Sequence, residues 1–419
     1  MSTGFVDIDN SERLSYKLLF CAFCCTALAE ILNVTFQFTS FSLSTYISLF
    51  AILLGTACII RLSYFSEYDY LDYRQGLNLL LIWNIVTIIR GCINAENYWD
   101  WKVLLFTNLP AFLIPLTANL GNKVIPIMRL FHFIFPLYFL FTVLLLFPIN
   151  TSLIVYLWTP IYFLILCFPY MKRKQKLLLL SFIAMLVFAD FSARSNIIRV
   201  FIALSIALSW QFISLHSRLI SVIQRIFFLL PFVFLTLGVT HVFNIFDTQS
   251  YIKKDIEVTN TAIGTSENAL SDTRTGIYKE LLTSMNKHKS FLLGEGGCGK
   301  YESTLFANKF IGAYRYASEV GVLNTLLYSG IIGVILYGFI FYKASRLAIC
   351  KSNNVLAKLI GLFIIFRWDY FFVEEFTNFN TNFFGLWLMI GMGLSPTFRA
   401  MTDEDLGILI QYKDIELNT

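Results

Sequence analysis

The sequence predicts an all-α, polytopic membrane protein with one large hydrophilic loop, and two observations carry that prediction. Of the 419 residues, 57% are hydrophobic, 43 residues are Phe and only 14% are charged, whereas a soluble globular chain carries about 25% charge. Mean hydropathy is +0.67, and apolar runs recur at about the 20-residue length that one helical crossing of a bilayer requires.

About twelve such runs can be read, near 14–33, 42–60, 77–93, 103–120, 124–147, 151–170, 177–191, 195–214, 222–246, 319–342, 355–374 and 380–398. The first resembles a signal peptide at Ala27-Leu-Ala29. Its leading segment carries Asp7, Asp9 and Glu12 rather than basic residues, so an uncleaved anchor is expected. Lys and Arg set the orientation. "MKRKQK" (171–176), "HSRLISVIQR" (216–225) and "YKASRLAICK" (342–351) follow even-numbered spans, while "FQFTSFSLS" and "FPINTS" carry no basic residue. Both termini are thus expected in the cytoplasm. The domains read as membrane spans over 1–246, an outward loop over 247–318, further spans over 319–398 and a cytoplasmic tail over 399–419. The tail, acidic and amphipathic in places, reads as an interaction helix or a frayed end, the latter preferred.

A formal charge of +5 belongs to cytoplasmic loops rather than to a nucleic-acid patch. The eight cysteines give no disulfide framework. Cys21, Cys24 and Cys25 lie in an apolar run without nearby His or Asp, which favours buried small hydrophobes over metal ligands. No HExxH and no aspartate-rich motif occurs among the four His and the acidic residues, so no metal site is expected.

One motif points elsewhere. "GEGGCGK", Gly294 to Lys300, fits the first seven positions of the phosphate-cradling G-x-x-x-x-G-K-[ST], but Tyr301 stands where a hydroxyl must hold magnesium. The expected topology places it on the outer side, away from ATP, in a segment too short for a nucleotide fold. A glycine-rich turn passing over the mouth of a site is the expectation.

Ionisable residues inside apolar spans are costly and mark functional interiors. Here they gather toward the outer ends: Arg90, Arg194, Arg199, Arg315, Glu319, Arg367, Glu374 and Glu375. Arg367 and Glu374, seven apart, and Arg315 and Glu319, four apart, are also spaced for structural pairing. In the loop, "SDTRTGIYKELLTSM" (271–285) reads as a helix capped by Ser271 or Asp272, with Ile277, Leu281, Leu282 and Met285 as its apolar stripe. Arg274 then falls in the first turn, where a helix normally favours negative charge. A phosphate between Arg274 and that terminus accounts for the placement, since Arg binds phosphate oxygens bidentately; a solvated surface arginine is the alternative.

These pieces resemble the bacterial O-antigen polymerase and O-antigen ligase superfamily, most clearly over 186–345. The resemblance rests on "SARSNIIRV" with Arg194 at the start of a span, "DTRTGIYKELL" with Arg274, the "GEGGCG" turn, and "SEVGVLNTLLYSGIIG" closing on Gly-Ile-x-Gly. It implies a GT-C-like helical fold whose large loop is periplasmic and contains short helices, in the inner membrane. Many members have a His-Asn pair eleven residues before the first Gly of the closing motif; this chain has Glu319-Val320 there.

The resemblance further implies polymerisation of undecaprenyl-pyrophosphate-linked oligosaccharide repeat units into O-antigen or capsular-type polysaccharide at the periplasmic face. Arg194 and Arg274 would stabilise the pyrophosphate leaving group, and Glu319 would assist the acceptor hydroxyl. Arg90, Arg199, Arg315, Arg367, Glu374, Tyr278, Gly296, Gly299 and Lys300 are the further substrate-binding candidates. The implied partners are the lipid-linked oligosaccharide, membrane lipids and a chain-length regulator, with no cofactor and no nucleic acid. An O-antigen ligase and a flippase or transporter of lipid-linked oligosaccharide are the alternatives; the inverted repeats common in transporters are not evident.

Overall fold

The computed structural model describes residues 4–35, 43–65, 71–144, 161–189, 194–240, 242–244, 246, 257–260, 265–268, 274–304, 314–374 and 379–411. Almost all of it is helical. Helices α1 (Gly4–Thr35) and α2 (Leu43–Phe65) pack on each other and lead to α3 (Arg74–Asn94). The next apolar segment is broken into α4 (Tyr98–Val103), a π turn (Leu104–Asn108), α5 (Leu109–Leu113) and a 3-10 stretch (Ile114–Asn122). Its prolines explain the breaks, because Pro110 and Pro115 have no N–H to give to a regular helical ladder. Then come α6 (Val124–Leu144), α7 (Ile161–Leu166), α8 (Arg173–Ala189), α9 (Arg194–Leu208), α10 (Trp210–Leu215) and α11 (Ser217–Val239).

Two two-stranded antiparallel ribbons, β1 (Glu257–Asn260) with β2 (Thr265–Asn268) and β3 (Tyr301–Glu302) with β4 (Tyr314–Arg315), belong to the hydrophilic segment. Its helix, α12 (Arg274–His288), lies against β3. The chain finishes with α13 (Gly321–Cys350), α14 (Val355–Phe371), α15 (Thr381–Leu394), α16 (Pro396–Ala400) and α17 (Asp403–Gln411). The densest core lies among α13, α14 and α15, where Trp368, Trp387, Phe341, Phe371 and Phe383 are fully buried.

Among the described residues six helical segments are long and apolar enough to cross a membrane: Glu12–Leu32, Thr45–Ser63, Arg74–Asn94, Tyr98–Asn122, Ser217–Gly238 and Gly321–Cys350. The shorter apolar helices are Val124–Leu137, Ile197–Leu208 and Thr381–Leu394. The protein is therefore a helical membrane protein. The difference from about twelve spans has local causes. The run near 195–214 divides at Ser209, that near 380–398 stops before Pro396, and that near 355–374 carries Lys358, Arg367 and Asp369. Much of the run near 151–170 lies outside the described residues.

Two expectations need revision. The preference for a frayed tail fails over Asp403–Gln411, which is α17 with Leu406 and Ile410 buried. It is tied down by Asp403, which accepts from Val355 N at 2.7 Å and from the Tyr170 hydroxyl. His132 Nε2 to Leu409 O at 2.8 Å and Gln411 Nε2 to Tyr170 O at 2.9 Å complete the seat. Second, α13 is not one regular helix: Gly330 interrupts it at φ 67°, ψ −172°, a region essentially reserved for glycine.

The break is filled from outside. Glu295 N donates to Leu327 O at 2.6 Å, Gly296 N to Tyr328 O at 3.0 Å, and Ile331 N to Phe291 O at 2.9 Å. The loop after α12 thereby replaces the ladder bonds that α13 gives up. A Cβ built on Gly330 would lie 2.2 Å from Leu292 O. Gly330→Ala is expected to destabilise the protein by about 3 kcal/mol or more through strain and clash together, read as thermal unfolding in detergent. Gly385→Ala, with no atom within 4 Å of the added carbon, should leave the transition unchanged and serves as control.

Candidate functional site

The end of α14 gathers five of the predicted residues, Arg199, Arg274, Tyr278, Arg367 and Glu374. A helix C-terminus leaves its last carbonyls without intrahelical partners, and here three successive ones are taken by other elements. Phe372 O accepts from the Tyr278 hydroxyl at 2.8 Å, Val373 O from Arg274 Nε at 2.8 Å, and Glu374 O from Gly321 N at 3.1 Å. One turn of chain thus fixes the start of α12 and the start of α13. The Arg274 cation also meets the negative end of the α14 dipole, which favours it. Burial pushes the Tyr278 phenol up from its ordinary value, so it remains a donor at any physiological pH.

Beneath this turn lies a buried pair of arginines. Arg199, 5% exposed, donates from Nη2 to Glu374 Oε1 at 3.2 Å. Arg367 is fully buried and donates from Nη1 to Asn382 Oδ1 at 3.2 Å. The Tyr162 ring serves both guanidiniums, 5.9 Å from Arg199 Cζ and 6.0 Å from Arg367 Cζ; Tyr370 lies 5.6 Å from Arg199 Cζ. Cation–π contact is how two like charges are tolerated with one nearby carboxylate. Glu374 thus has an ion pair with Arg199. Asp369 sits on the opposite side of α14, its carboxylate oxygens buried and without a hydrogen bond among the described residues.

Next to the arginines is an apolar pocket between α1, α6, α7 and α15. Phe23, Ile127, Phe131, Phe384 and Met389 line it, together with Tyr162, Thr381 and Asn382. Since Tyr162 and Asn382 also touch the arginines, the pocket borders the charged cluster directly.

The remaining predicted residues fall into three groups. Glu319 is half exposed and pairs with Arg315 at 3.4 Å; it stands two residues from Gly321 and so at the edge of the α14 turn. Arg194 opens α9, at the same end as Arg199; its side chain, like Glu375, Ser271 and Asp272, lies outside the described residues. Arg90, Gly296, Gly299 and Lys300 stand apart from the cluster and have protein partners. Arg90 donates to Leu293 O and, at 2.7 Å, to Gly294 O.

At the glycine turn the backbone is held largely by the protein itself. Gly294 N donates to Ser290 O at 2.7 Å, Gly297 N to Thr87 O at 2.9 Å and Gly299 N to Gly296 O at 2.9 Å. With Glu295 N and Gly296 N bound to α13, five amides of the turn are committed to carbonyls of the protein. Lys300 Nζ meets the buried Asp100 carboxylate at 3.2 Å, which also accepts from the Tyr316 hydroxyl at 2.7 Å. Tyr301, in the magnesium-ligand position, is buried. Cys298 is buried and donates to Gly91 O at 3.3 Å.

Tyr162, Tyr370, Asn382 and Asp100 escaped the sequence reading. Tyr370 was within reach of it, being three residues after Arg367 and four before Glu374 and hence on their face. Tyr162 and Asp100 carried no such signal. Among the described residues no group of three His, Cys, Asp or Glu side chains is placed to hold a metal ion. No protein-family model, curated protein or solved structure matches the chain.

Lys300→Met is expected to destabilise the protein by about 1–3 kcal/mol, because it leaves the Asp100 carboxylate buried without its cation. MgATP should shift the unfolding temperature of neither form. A shift in the wild type that Lys300→Met abolishes restores the nucleotide reading.

Proposed function

We propose that this chain is a membrane glycosyltransferase that polymerises polyprenyl-pyrophosphate-linked oligosaccharide repeat units at the outer face of the cytoplasmic membrane. The observation that supports it best is the meeting of Arg274, Arg199, Arg367 and Glu374 at the end of α14 beside an apolar pocket. A pyrophosphate with an isoprenoid tail has the matching chemistry: an anion for the arginines and a long apolar chain for the pocket. The order of motifs described above supplies the rest of the argument.

In this reading the acceptor hydroxyl attacks the anomeric carbon of the donor glycan, and the bond to the pyrophosphate oxygen breaks. Glu319 takes the hydroxyl proton. Arg274 and Arg194 stabilise the charge that develops on the leaving pyrophosphate. Arg199 and Arg367, too deeply buried to reach the reacting atoms without rearrangement, hold positive potential under the site. The leaving group is already activated, so the residues named are sufficient for the step as written.

Glu319→Gln should reduce chain elongation by about 10²-fold or more, the usual contribution of a positioned general base. The rim pair it breaks is worth at most about 1 kcal/mol, so protein level should be unchanged. Deletion of the gene should remove the long-chain ladder of surface polysaccharide and leave single repeat units on their carrier. Polymer that is made but never attached indicates a ligase instead, and repeats trapped on the cytoplasmic side indicate a flippase. A normal ladder with both Glu319→Gln and Arg274→Lys removes the assigned roles.

A further inference from the structure

The glycine-rich segment is anchored far down α13, which raises the question of its depth. The uncharged stretch Val320–Tyr342 of α13 is bounded by Glu319 and Lys343. At about 1.5 Å per residue it is about as long as the hydrocarbon core is thick. Gly330 is near its middle. On α3 the uncharged stretch lies between Arg74 and Arg90, and Trp83, near its middle, donates to Ser329 O at 2.9 Å. Both helices therefore place the Ser329–Gly330 break near mid-depth. The turn 291–294 lies against that break: Phe291 O accepts from Ile331 N, and a Cβ on Gly330 would touch Leu292 O.

Irregular backbone survives at membrane depth only where its polar groups are satisfied by protein. Here six carbonyls of the segment are covered: Ser290 O by Gly294 N, Phe291 O by Ile331 N, Leu293 O and Gly294 O by Arg90, Glu295 O by Asn94 Nδ2 and Gly297 O by Asn108 Nδ2. The most exposed side chains of the segment are apolar, with Leu292 60% exposed beside half-exposed Phe291 and Leu293, while the partly exposed Glu295 and Lys300 are paired with His288 and Asp100. On one side the apolar side chains continue the exposed stripe of α3, which includes Ile82, Ile89 and Ile93; on the other they continue that of α13, with Ile331 and Ile335.

We infer that Ser290–Lys300 is a re-entrant segment that dips into the bilayer, with Phe291, Leu292 and Leu293 in contact with lipid acyl chains. The occupant of this face is membrane lipid, because the face is continuous with the lipid-facing stripes of two membrane-spanning helices. Arg90 then has a stated purpose: it brings two donors to carbonyls that no water reaches. The inference rests on the helical membrane fold alone and is independent of the reaction proposed above.

The test uses the full-length wild-type chain in phosphatidylcholine vesicles that contain a phosphatidylcholine with a diazirine near the middle of one acyl chain. After irradiation, labelled residues are mapped by mass spectrometry. Labelling at 291–293 should equal that at Ile335, and Lys287 and Glu302, exposed and paired with each other, should remain unlabelled. Label at Ile335 with none at 291–293 overturns the inference and puts the loop in water.

Discussion

The interruption of α13 at Gly330 is the constraint on which the rest of this molecule depends. A helix broken inside a membrane exposes carbonyls and amides that lipid cannot satisfy. The chain meets that need with its own loop, whose amides at Glu295 and Gly296 replace the lost ladder partners. The loop is the direct continuation of α12, joined through Lys289 at positive φ and the Ser290 N to Met285 O bond. Docking the loop consequently fixes where α12 lies, and α12 carries Arg274 and Tyr278 to the end of α14. A backbone requirement in one helix thus determines the position of side chains at another.

Electrostatics complete the arrangement. The free carbonyls at the end of α14 make that point locally negative, which accommodates Arg274 above and the partly compensated Arg199 and Arg367 below. Among the described residues the two buried guanidiniums meet the Glu374 carboxylate, the Asn382 amide and the rings of Tyr162 and Tyr370. This is a costly construction for a membrane interior.

The sequence made the class of fold legible, because apolar runs of bilayer length and scarce charge have few other solutions. It also marked most members of the cluster, since ionisable residues in such runs are conspicuous. It was less informative where the physics is non-local. Lys300 looked like a phosphate ligand because its partner, Asp100, is 200 residues away and sits in what read as loop before a span. Gly330 read as part of a closing motif, and only the bonds from Phe291, Glu295 and Gly296 reveal it as a break. The tail looked frayed because its stabilising contacts come from Tyr170, His132 and Val355, none of them close in sequence. Some apolar runs do not form one long helix because a single residue such as Ser209 or Pro396 interrupts them.

Arg274 shows why a structural partner does not by itself exclude a ligand. Among the described residues its hydrogen bond is made through Nε alone, to Val373 O, and it is only half-buried. The paired edge of a guanidinium that grips phosphate is formed by its terminal nitrogens. Anchoring through Nε fixes the plane of the group while leaving that edge to face elsewhere, which lowers the rotamer entropy lost on binding. The contrast with Lys300 is chemical. An ammonium is a single point charge, and once Asp100 holds it the charge is spent. An arginine can be held and still hold something else.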